Sequence, residues 1–310
     1  MRFAALVAYD GHVTDGEFRL CGRHEMKEPT YRDVYDEGAA RLGEAGIEEA
    51  ELDARLLLEF VCGTDRNTLL AHGEREVSEE EYGRYSGFIE RRAAHVPLQH
   101  LTGEQDFMGL TFLVNKDVLV PRQDTEVLVE EVMKHLHDGM RILDLCTGSG
   151  CILLSLLHYS NDCEGVGVDL SERALAVARE NQERLRSDRP EMKARFLEGD
   201  LFAGLEERFD MIVSNPPYIK TDVIDTLMPE VWEHEPVMAL DGGADGLVFY
   251  RRIAGDAGAY LNGGGMLFFE IGCEQAEDVR SIMEAAGFRE VEVVKDFAGL
   301  DRVVYGSWFG

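Results

Sequence analysis

The chain has 310 residues, long for one compact domain and suited to one large domain with a small one beside it. Hydrophobic residues make up 45% and charged residues 29%, the balance of an ordinary globular protein, and no apolar run approaches the roughly 20 residues that span a bilayer. A formal net charge of −29 sets the chain's field against phosphate backbones, short of a local basic patch, and favours a basic protein partner.

The start has a short apolar stretch from Phe3 to Tyr9 but no full hydrophobic region and cleavage site, so no signal peptide is expected. Residues 1–27 lack clear periodicity, and Met26 offers an alternative start that would make 1–25 an extension. The six cysteines (Cys21, Cys62, Cys146, Cys151, Cys163 and Cys273) form no CxxC pair and are scattered through apolar segments. That usage fits a reduced, cytoplasmic protein with core thiols. The nine histidines add no clustered ligand set, and no metal is expected.

From Thr30 to about Ala94 the pattern is helical. Thr30 is a candidate cap for a helix through Val34, Ala39, Ala40 and Leu42. Ile47 to Cys62 carries Ala54, Leu57, Leu58 and Val61 at helical spacing. Ser78-Glu79-Glu80-Glu81 reads as a capping box opening a further helix. The division expected is a helical domain over 28–95, a connector over 96–122 and a larger domain over 123–310. In the connector, Phe107 to Val114 predicts a hairpin of short strands, ending at Val118-Leu119-Val120-Pro121.

Beyond Asp124, strands and helices alternate. Strands are expected at Arg141–Leu145, Gly165–Val168, Arg195–Leu197, Met211–Val213 and Gly265–Ile271, with two late ones near Val291–Val294 and Arg302–Tyr305. The fold class is therefore α/β, a mostly parallel sheet covered by helices on both faces. Ligands in such sheets sit outside the carboxyl ends of the strands, at the switch point.

Two motifs carry chemistry. Asp144-Leu145-Cys146-Thr147-Gly148-Ser149-Gly150 joins a strand to a helix through small residues, which let a ligand approach the backbone and the free N–H groups of the helix start. Asp169 follows Gly150 by nineteen positions, at the end of the next strand, where a carboxylate can accept both hydroxyls of a ribose. The third glycine of a dinucleotide fingerprint is missing, since Gly150 is followed by Cys151-Ile152-Leu153. That favours a nucleoside without a pyrophosphate.

The second motif is Ser214-Asn215-Pro216-Pro217-Tyr218, directly after a strand. Two prolines stiffen the loop at the mouth of the sheet. The Asn215 side-chain carbonyl and the Pro216 backbone carbonyl can accept two hydrogen bonds from one planar NH₂ group, and Tyr218 supplies a flat wall. An amide or aromatic amino nitrogen is a poor nucleophile because its lone pair is delocalised. Two acceptors on its protons raise its electron density and aim it at an electrophilic methyl group, so orientation and electrostatics outweigh a general base.

On these motifs the chain resembles the HemK/PrmC family, the protein-(glutamine-N5) methyltransferases acting on peptide chain release factors. The resemblance covers roughly residues 30–310. It includes Pro97 to Gly103, Val120-Pro121-Arg122-Gln123-Asp124-Thr125-Glu126, Glu235-Pro236, Ala239 to Gly243, Lys295-Asp296 and Asp301-Arg302. It implies a class I S-adenosylmethionine-dependent methyltransferase, Rossmann-like, with a seven-stranded mostly parallel sheet whose last strand is antiparallel. It also implies an N-terminal helical domain that docks the substrate. Cys146, Thr147, Gly148, Ser149, Gly150 and Asp169 would hold S-adenosylmethionine, with Asp200 and Leu201 beside its adenine and Asn215 also at the cofactor. Asn215, Pro216, Pro217 and Tyr218 would hold the glutamine, with Asn215, Pro216 and Tyr218 in the catalytic roles. The partners implied are class I peptide chain release factors, with no direct nucleic acid and no membrane. Two positions depart from the family pattern: Cys146 stands where glycine is frequent, and Gln123 where proline is usual.

Three other readings compete on the residues alone. A ribosomal-protein glutamine would use the same catalytic motif and suit the same charge. Adenine N6 of a nucleic acid is also an amino nitrogen, but the charge and the lack of a target-recognition domain oppose it. A non-catalytic cofactor-binding protein would not require Asn215 and Asp169 together. Asp144 either steers the ammonium of the methionine moiety or caps its turn, Glu270 reads as structural, Glu233-His234-Glu235 as a solvated loop, and His100 as an anchor for the connector.

Overall fold

The computed structural model describes residues 28–310. The segment 1–27, with its alternative start at Met26, lies outside the described residues. Helix α1 (Tyr31–Glu44) opens on Thr30, whose hydroxyl accepts the Asp33 N–H at 3.3 Å while the Asp33 carboxylate accepts the Thr30 N–H at 2.9 Å. This reciprocal box satisfies two of the donors that a helix start leaves free. Helix α2 (Ala50–Cys62) ends on Gly63, whose φ of 57° is left-handed. Helix α3 (Arg66–Ala71), capped by Asp65, is too short for periodicity to reveal. Helix α4 (Glu79–Ala93) opens on the expected Ser78–Glu81 box. The four enclose Tyr31, Val34, Leu42, Leu57, Leu58 and Tyr85. At Gly38 a Cβ would stand 2.0 Å from the Tyr85 hydroxyl, so only glycine admits this contact of α1 with α4.

Pro97 to Gly103, expected in the connector, contains a further helix, α5 (Leu98–Thr102), whose Leu101 belongs to the helical core. The hairpin of β1 (Glu104–Phe107) and β2 (Leu110–Leu113) turns on Met108 and Gly109, both at positive φ (52° and 72°), the geometry that suits the twist of a two-residue hairpin.

The larger unit follows as α6 (Glu126–His135), β3 (Arg141–Leu145), α7 (Cys151–Tyr159), β4 (Glu164–Asp169), α8 (Glu172–Leu185), β5 (Lys193–Glu198), β6 (Phe209–Ser214), α9 (Pro229–Trp232), α10 (Val248–Tyr260), β7 (Leu261–Glu270), α11 (Ala276–Ala285), β8 (Arg289–Lys295) and β9 (Asp301–Ser307). Seven strands form one sheet in the order β5-β4-β3-β6-β7-β9-β8, with β9 antiparallel to both neighbours. Side chains alternate across it. Ile142, Met211, Val213 and Phe268 face α6, α7 and α8, while Leu143, Leu145, Ile212 and Phe269 face α10 and α11. The chain steps outward from β3 to β5, then returns to β6 on the other side of β3, which makes the β3/β6 gap the switch point. Among the described residues no helix is long and apolar enough to cross a membrane.

The helical unit is fastened by one buried cation. Arg92 of α4 donates to Asp53 of α2 at 2.6 Å and to Glu230 of α9 at 2.5 Å. Burial pushes the Asp53 carboxyl above its usual range, against the pull of Arg92. Removing the cation would leave a buried carboxylate unpaired, the costly way to break such a pair. Arg92→Leu is expected to lose about 3 kcal/mol in urea unfolding, and adding Asp53→Leu to recover most of it. A loss below about 1 kcal/mol for the single variant would show that water replaces the guanidinium at no great expense.

Candidate active site

Parallel pairing puts the two motifs next to each other. Leu145 of β3 pairs with Val168 of β4 on one side and with Ser214 of β6 on the other. The residues that follow, Cys146, Asp169 and Asn215, therefore leave the sheet side by side. Asp169 in turn pairs with Glu198 of β5, which brings Gly199 and Asp200 into the same row. The Ser214 hydroxyl donates to the Leu145 carbonyl at 2.7 Å and locks the central pair.

The turn after β3 is left-handed at three points, with φ of 61° at Cys146, 55° at Gly148 and 78° at Gly150. Glycine takes this conformation freely, whereas at Cys146 it costs about 1 kcal/mol. Burial first, then the charges of Asp169 and Asp144, push the Cys146 thiol far above its usual range. The Asp169 carboxylate accepts the Gly148 and Ser171 N–H groups, one on each oxygen, both at 2.9 Å. Burial raises its pKa against those bonds. The Asn181 amide ties the turn to the hairpin, donating to the Ser149 and Leu113 carbonyls at 3.0 Å and accepting the Leu113 N–H at 2.6 Å.

A cavity of about 280 Å³ opens over this row of strand ends. Of the residues expected at the site, Cys146, Gly148, Asp169, Asp200, Leu201, Asn215 and Pro217 line it. Thr147, Ser149 and Gly150 shape the turn, with Thr147 and Ser149 buried. The Asp200 carboxylate also accepts Arg252 at 2.8 Å, half exposed at the rim. Pro216 and Tyr218 stand off the cavity wall. The Tyr218 hydroxyl points inward and donates to Glu270 Oε1 at 3.4 Å, and its carbonyl accepts the Gln275 amide at 3.1 Å.

The Asn215 loop is braced from two directions. Its Nδ2 donates to the Thr125 hydroxyl at 3.4 Å, at the start of α6. Behind it, the Ile219 N–H donates to the Leu240 carbonyl at 3.0 Å, and the Gly242 N–H donates to the Ile219 carbonyl at 2.8 Å. A Cβ on Gly242 would lie 2.7 Å from the Tyr218 Cα, and one on Gly246 2.4 Å from the Tyr218 carbonyl oxygen. The Leu240–Gly246 stretch thus clamps the motif from below.

Thr125, Val118 and Phe249 escaped the residue reading of the site; the last two line the cavity. The only signal for Thr125 lay in the Val120–Glu126 stretch. Glu126 of that stretch accepts the Met108 N–H at 2.6 Å and so anchors the hairpin. Asp144 caps its turn, accepting the Thr147 hydroxyl at 2.5 Å, and does not line the cavity. Glu235 corrects the reading of a solvated loop. It is 5% exposed and accepts Arg122 at 2.7 Å and the Val120 N–H at 3.4 Å, because a buried carboxylate needs such partners. His100 is half-buried beside His234 and Arg122, and burial first, then their charge, lowers its pKa.

Residues 33–103 match the PrmC N-terminal domain and residues 122–235 the methyltransferase small domain. The release factor glutamine methyltransferase of Caulobacter vibrioides is 45% identical over 86% of this chain and 92% of its own length. That of Geobacter sulfurreducens is 43% identical over 89% of this chain and 96% of its own. The chain belongs to the release factor glutamine methyltransferase family. The hMettl16 catalytic domain, solved in complex with MAT2A 3′UTR hairpin 6, is 15% identical over 75% of this chain and 83% of its own. It superposes with a TM-score of 0.52, a likeness of fold alone. The fold is the S-adenosylmethionine-dependent methyltransferase fold of the family, with its helical N-terminal domain.

Two buried carboxyls under the family's motifs, Asp144 and Glu270, are pushed up to about 7, in both cases chiefly by burial. In the unfolded chain such groups titrate near 4. Between that range and about 7 the folded state binds more protons, so stability falls as pH rises through the window. Glu270→Gln removes one of the two groups. Urea unfolding of both proteins from pH 5 to 8 should show the variant gaining on the parent as pH rises. Parallel profiles would mean that Glu270 ionises without penalty.

Proposed function

We propose that this protein transfers a methyl group from S-adenosylmethionine to the side-chain amide nitrogen, N5, of the glutamine in the Gly-Gly-Gln motif of class I peptide chain release factors. The observation that carries the reading is the row of strand ends: Asn215, at the head of Asn-Pro-Pro-Tyr, and the Asp169 carboxylate face one cavity, in register across β3. Relatives at 43–45% identity over nearly their whole length are named release factor glutamine methyltransferases, which supports this reading. A cytoplasmic location fits an acceptor of the translation machinery.

The residues fit the cofactor. Asp169 spends one backbone hydrogen bond on each oxygen, leaving lone pairs free for ribose hydroxyls. The turn from Cys146 through Thr147, Gly148, Ser149 and Gly150 brings backbone close to the cavity, and Asp200 and Leu201, which line the same cavity, would hold the adenine. When bound, S-adenosylmethionine supplies a methyl group on a positively charged sulfur.

The protein's own part is to bind, orient and polarise the acceptor. Asn215 Oδ1 and the Pro216 carbonyl take the two protons of the glutamine NH₂ group, while Pro217 lines the cavity and Tyr218 holds the loop from the buried side. This counters the delocalisation of the amide lone pair and aims the nitrogen. The helical domain (28–95), with the connector (96–122), is the docking surface for the release factor on the catalytic domain (123–310). The Arg92–Glu230 and Arg122–Glu235 pairs support this reading, since they fasten it to the segment that follows the Asn215 loop.

The test is transfer of labelled methyl to a purified release factor beside its Gly-Gly-Gln→Gly-Gly-Ala variant. Label on the first alone is the expected result. Label on neither would move the acceptor to ribosomal proteins or nucleic acid. Asn215→Ala should cut turnover by about a hundredfold or more with cofactor affinity retained. Asp169→Ala should weaken cofactor binding by about tenfold or more. The reverse pattern would overturn the division of roles.

A further inference from the structure

The turn between β8 and β9, Asp296-Phe297-Ala298-Gly299-Leu300, carries its apolar side chains outward. Phe297 is 93% exposed, the most of any large apolar side chain among the described residues, and Leu300 is 48% exposed. A lone exposed ring on a loose loop would mean little. This turn is built otherwise. The Asp296 carboxylate accepts the Ala298 and Leu300 N–H groups at 2.9 Å through one oxygen and the Arg302 guanidinium at 3.1 Å through the other. The Asp296 N–H donates to the Leu300 carbonyl at 2.8 Å, and the Gly299 N–H to the Asp296 carbonyl at 3.0 Å. The Lys295 ammonium donates to the Gly299 carbonyl at 3.2 Å. A ring held out on a turn this fully bonded has already given up the backbone freedom that a flexible loop loses on binding.

The place of the turn in the sheet decides what can reach it. β9 runs antiparallel to β7, with Val303 opposite Glu270, so the turn lies at the end of the sheet where Cys146, Asp169 and Asn215 emerge. In the order β5-β4-β3-β6-β7-β9-β8, Asp169 and Asp200 stand on one side of Asn215 and the turn on the other. β9 is two strands from β6, a distance of about 10 Å. The turn is therefore on the side away from the cofactor's carboxylates. Arg302 moors it there. Besides Asp296, it pairs with Asp124 at 3.1 Å and donates to the Ile271 carbonyl at 3.5 Å. Asp124 precedes Thr125, whose hydroxyl accepts Asn215 Nδ2 at 3.4 Å. Phe297 thus stands at a fixed offset from the amide site, beyond the reach of one glutamine side chain but within reach of the protein that carries it.

We propose that the Asp296–Leu300 turn is a docking arm for the release factor: Phe297, with Leu300 beside it, seats in an apolar depression next to the Gly-Gly-Gln loop and sets that loop's approach to Asn215. The arm rests on the reading of release factors as the acceptors. A folded acceptor presents surface well beyond its reacting group, and rigid aromatic side chains are the usual anchors of such contacts. The charges around the ring are paired within the arm, Lys295 with Asp301 at 2.7 Å and Arg302 with Asp296 at 3.1 Å. That leaves apolar contact as the arm's means of recognition. It also supplies what a net charge of −29 does not, since a long-range field steers an encounter without fixing the last few ångströms of its register.

The test is turnover and binding with a purified release factor. Phe297→Ala should raise the KM for the release factor about tenfold, with kcat at saturation within about twofold of the parent. Calorimetry should show the same loss of affinity for the Gly-Gly-Ala release-factor variant, with S-adenosylmethionine affinity and melting temperature unchanged. Phe297→Leu, still apolar, should recover most of the loss. Phe309→Ala is the control. Phe309 is 62% exposed and follows the far end of β9, at the opposite end of the sheet, so its loss should change nothing. Parent-like KM and binding in Phe297→Ala would overturn the arm, as would an equal loss in Phe309→Ala. A parent that sediments as a dimer and turns monomeric with Phe297→Ala would assign the turn to a second copy of this chain instead. A parent that methylates a ribosomal protein and neither binds nor methylates a release factor would overturn the reading beneath, and the arm's occupant with it.

Discussion

Leu145 has two partners, Val168 and Ser214, and the alignment of those pairs governs everything above the sheet. A parallel ladder advances its strands together, so three chains leave the sheet at one level and their next residues share a cavity. A slip of one residue in β6 would turn Asn215 to the opposite face and replace it at the site with Pro216. The alternation of Ile142, Leu143, Met211, Ile212 and Val213 between two apolar cores makes such a slip costly along the whole strand. The chemistry at the rim is thus held by the packing beneath it.

The site's polar groups are fixed from the buried side rather than from solvent. Asp144, Glu235 and Glu270 are each at most 5% exposed, and each is committed to neighbours that hold a loop: Thr147, Arg122 with the Val120 amide, and Tyr218. Burial raises the pKa of all three. Such groups are a poor way to gain stability, since desolvation opposes every pair. What they provide is direction. A loop held by an apolar contact can slide, whereas one held by a hydrogen-bonded carboxyl has a single geometry.

The seven sheet strands, the helix caps at Thr30 and Ser78, and the row of Asp169 and Asn215 were legible in the residues, because each depends on local chemistry: period-two apolar runs, oxygen-bearing caps, prolines after a strand. The short helices were not. Arg66–Ala71 and Leu98–Thr102 span less than two turns, so no stripe can form, and their boundaries are set by packing on the helical core. Glu235 was misread because its charged neighbours suggest solvent, and only the three-dimensional approach of Arg122, over a hundred positions earlier, makes burial tolerable. Val118 and Phe249 reach the cavity by the same long-range assembly and carry no local mark of it.

Glu270 shows most clearly what lies between those two kinds of information. As the last residue of an apolar strand it looks like a structural group, and in burial and pairing it is one. Its neighbours change the meaning. The Tyr218 hydroxyl donates to it, and Arg302 donates to the Ile271 carbonyl beside it. A carboxyl at the end of β7 therefore holds the loop that follows β6, and the Asn-Pro-Pro-Tyr motif is fixed by a group that carries no local mark of that role. Tyr218 and Glu270 lie 52 positions apart, and only the pairing of β6 with β7 brings the two strand ends together.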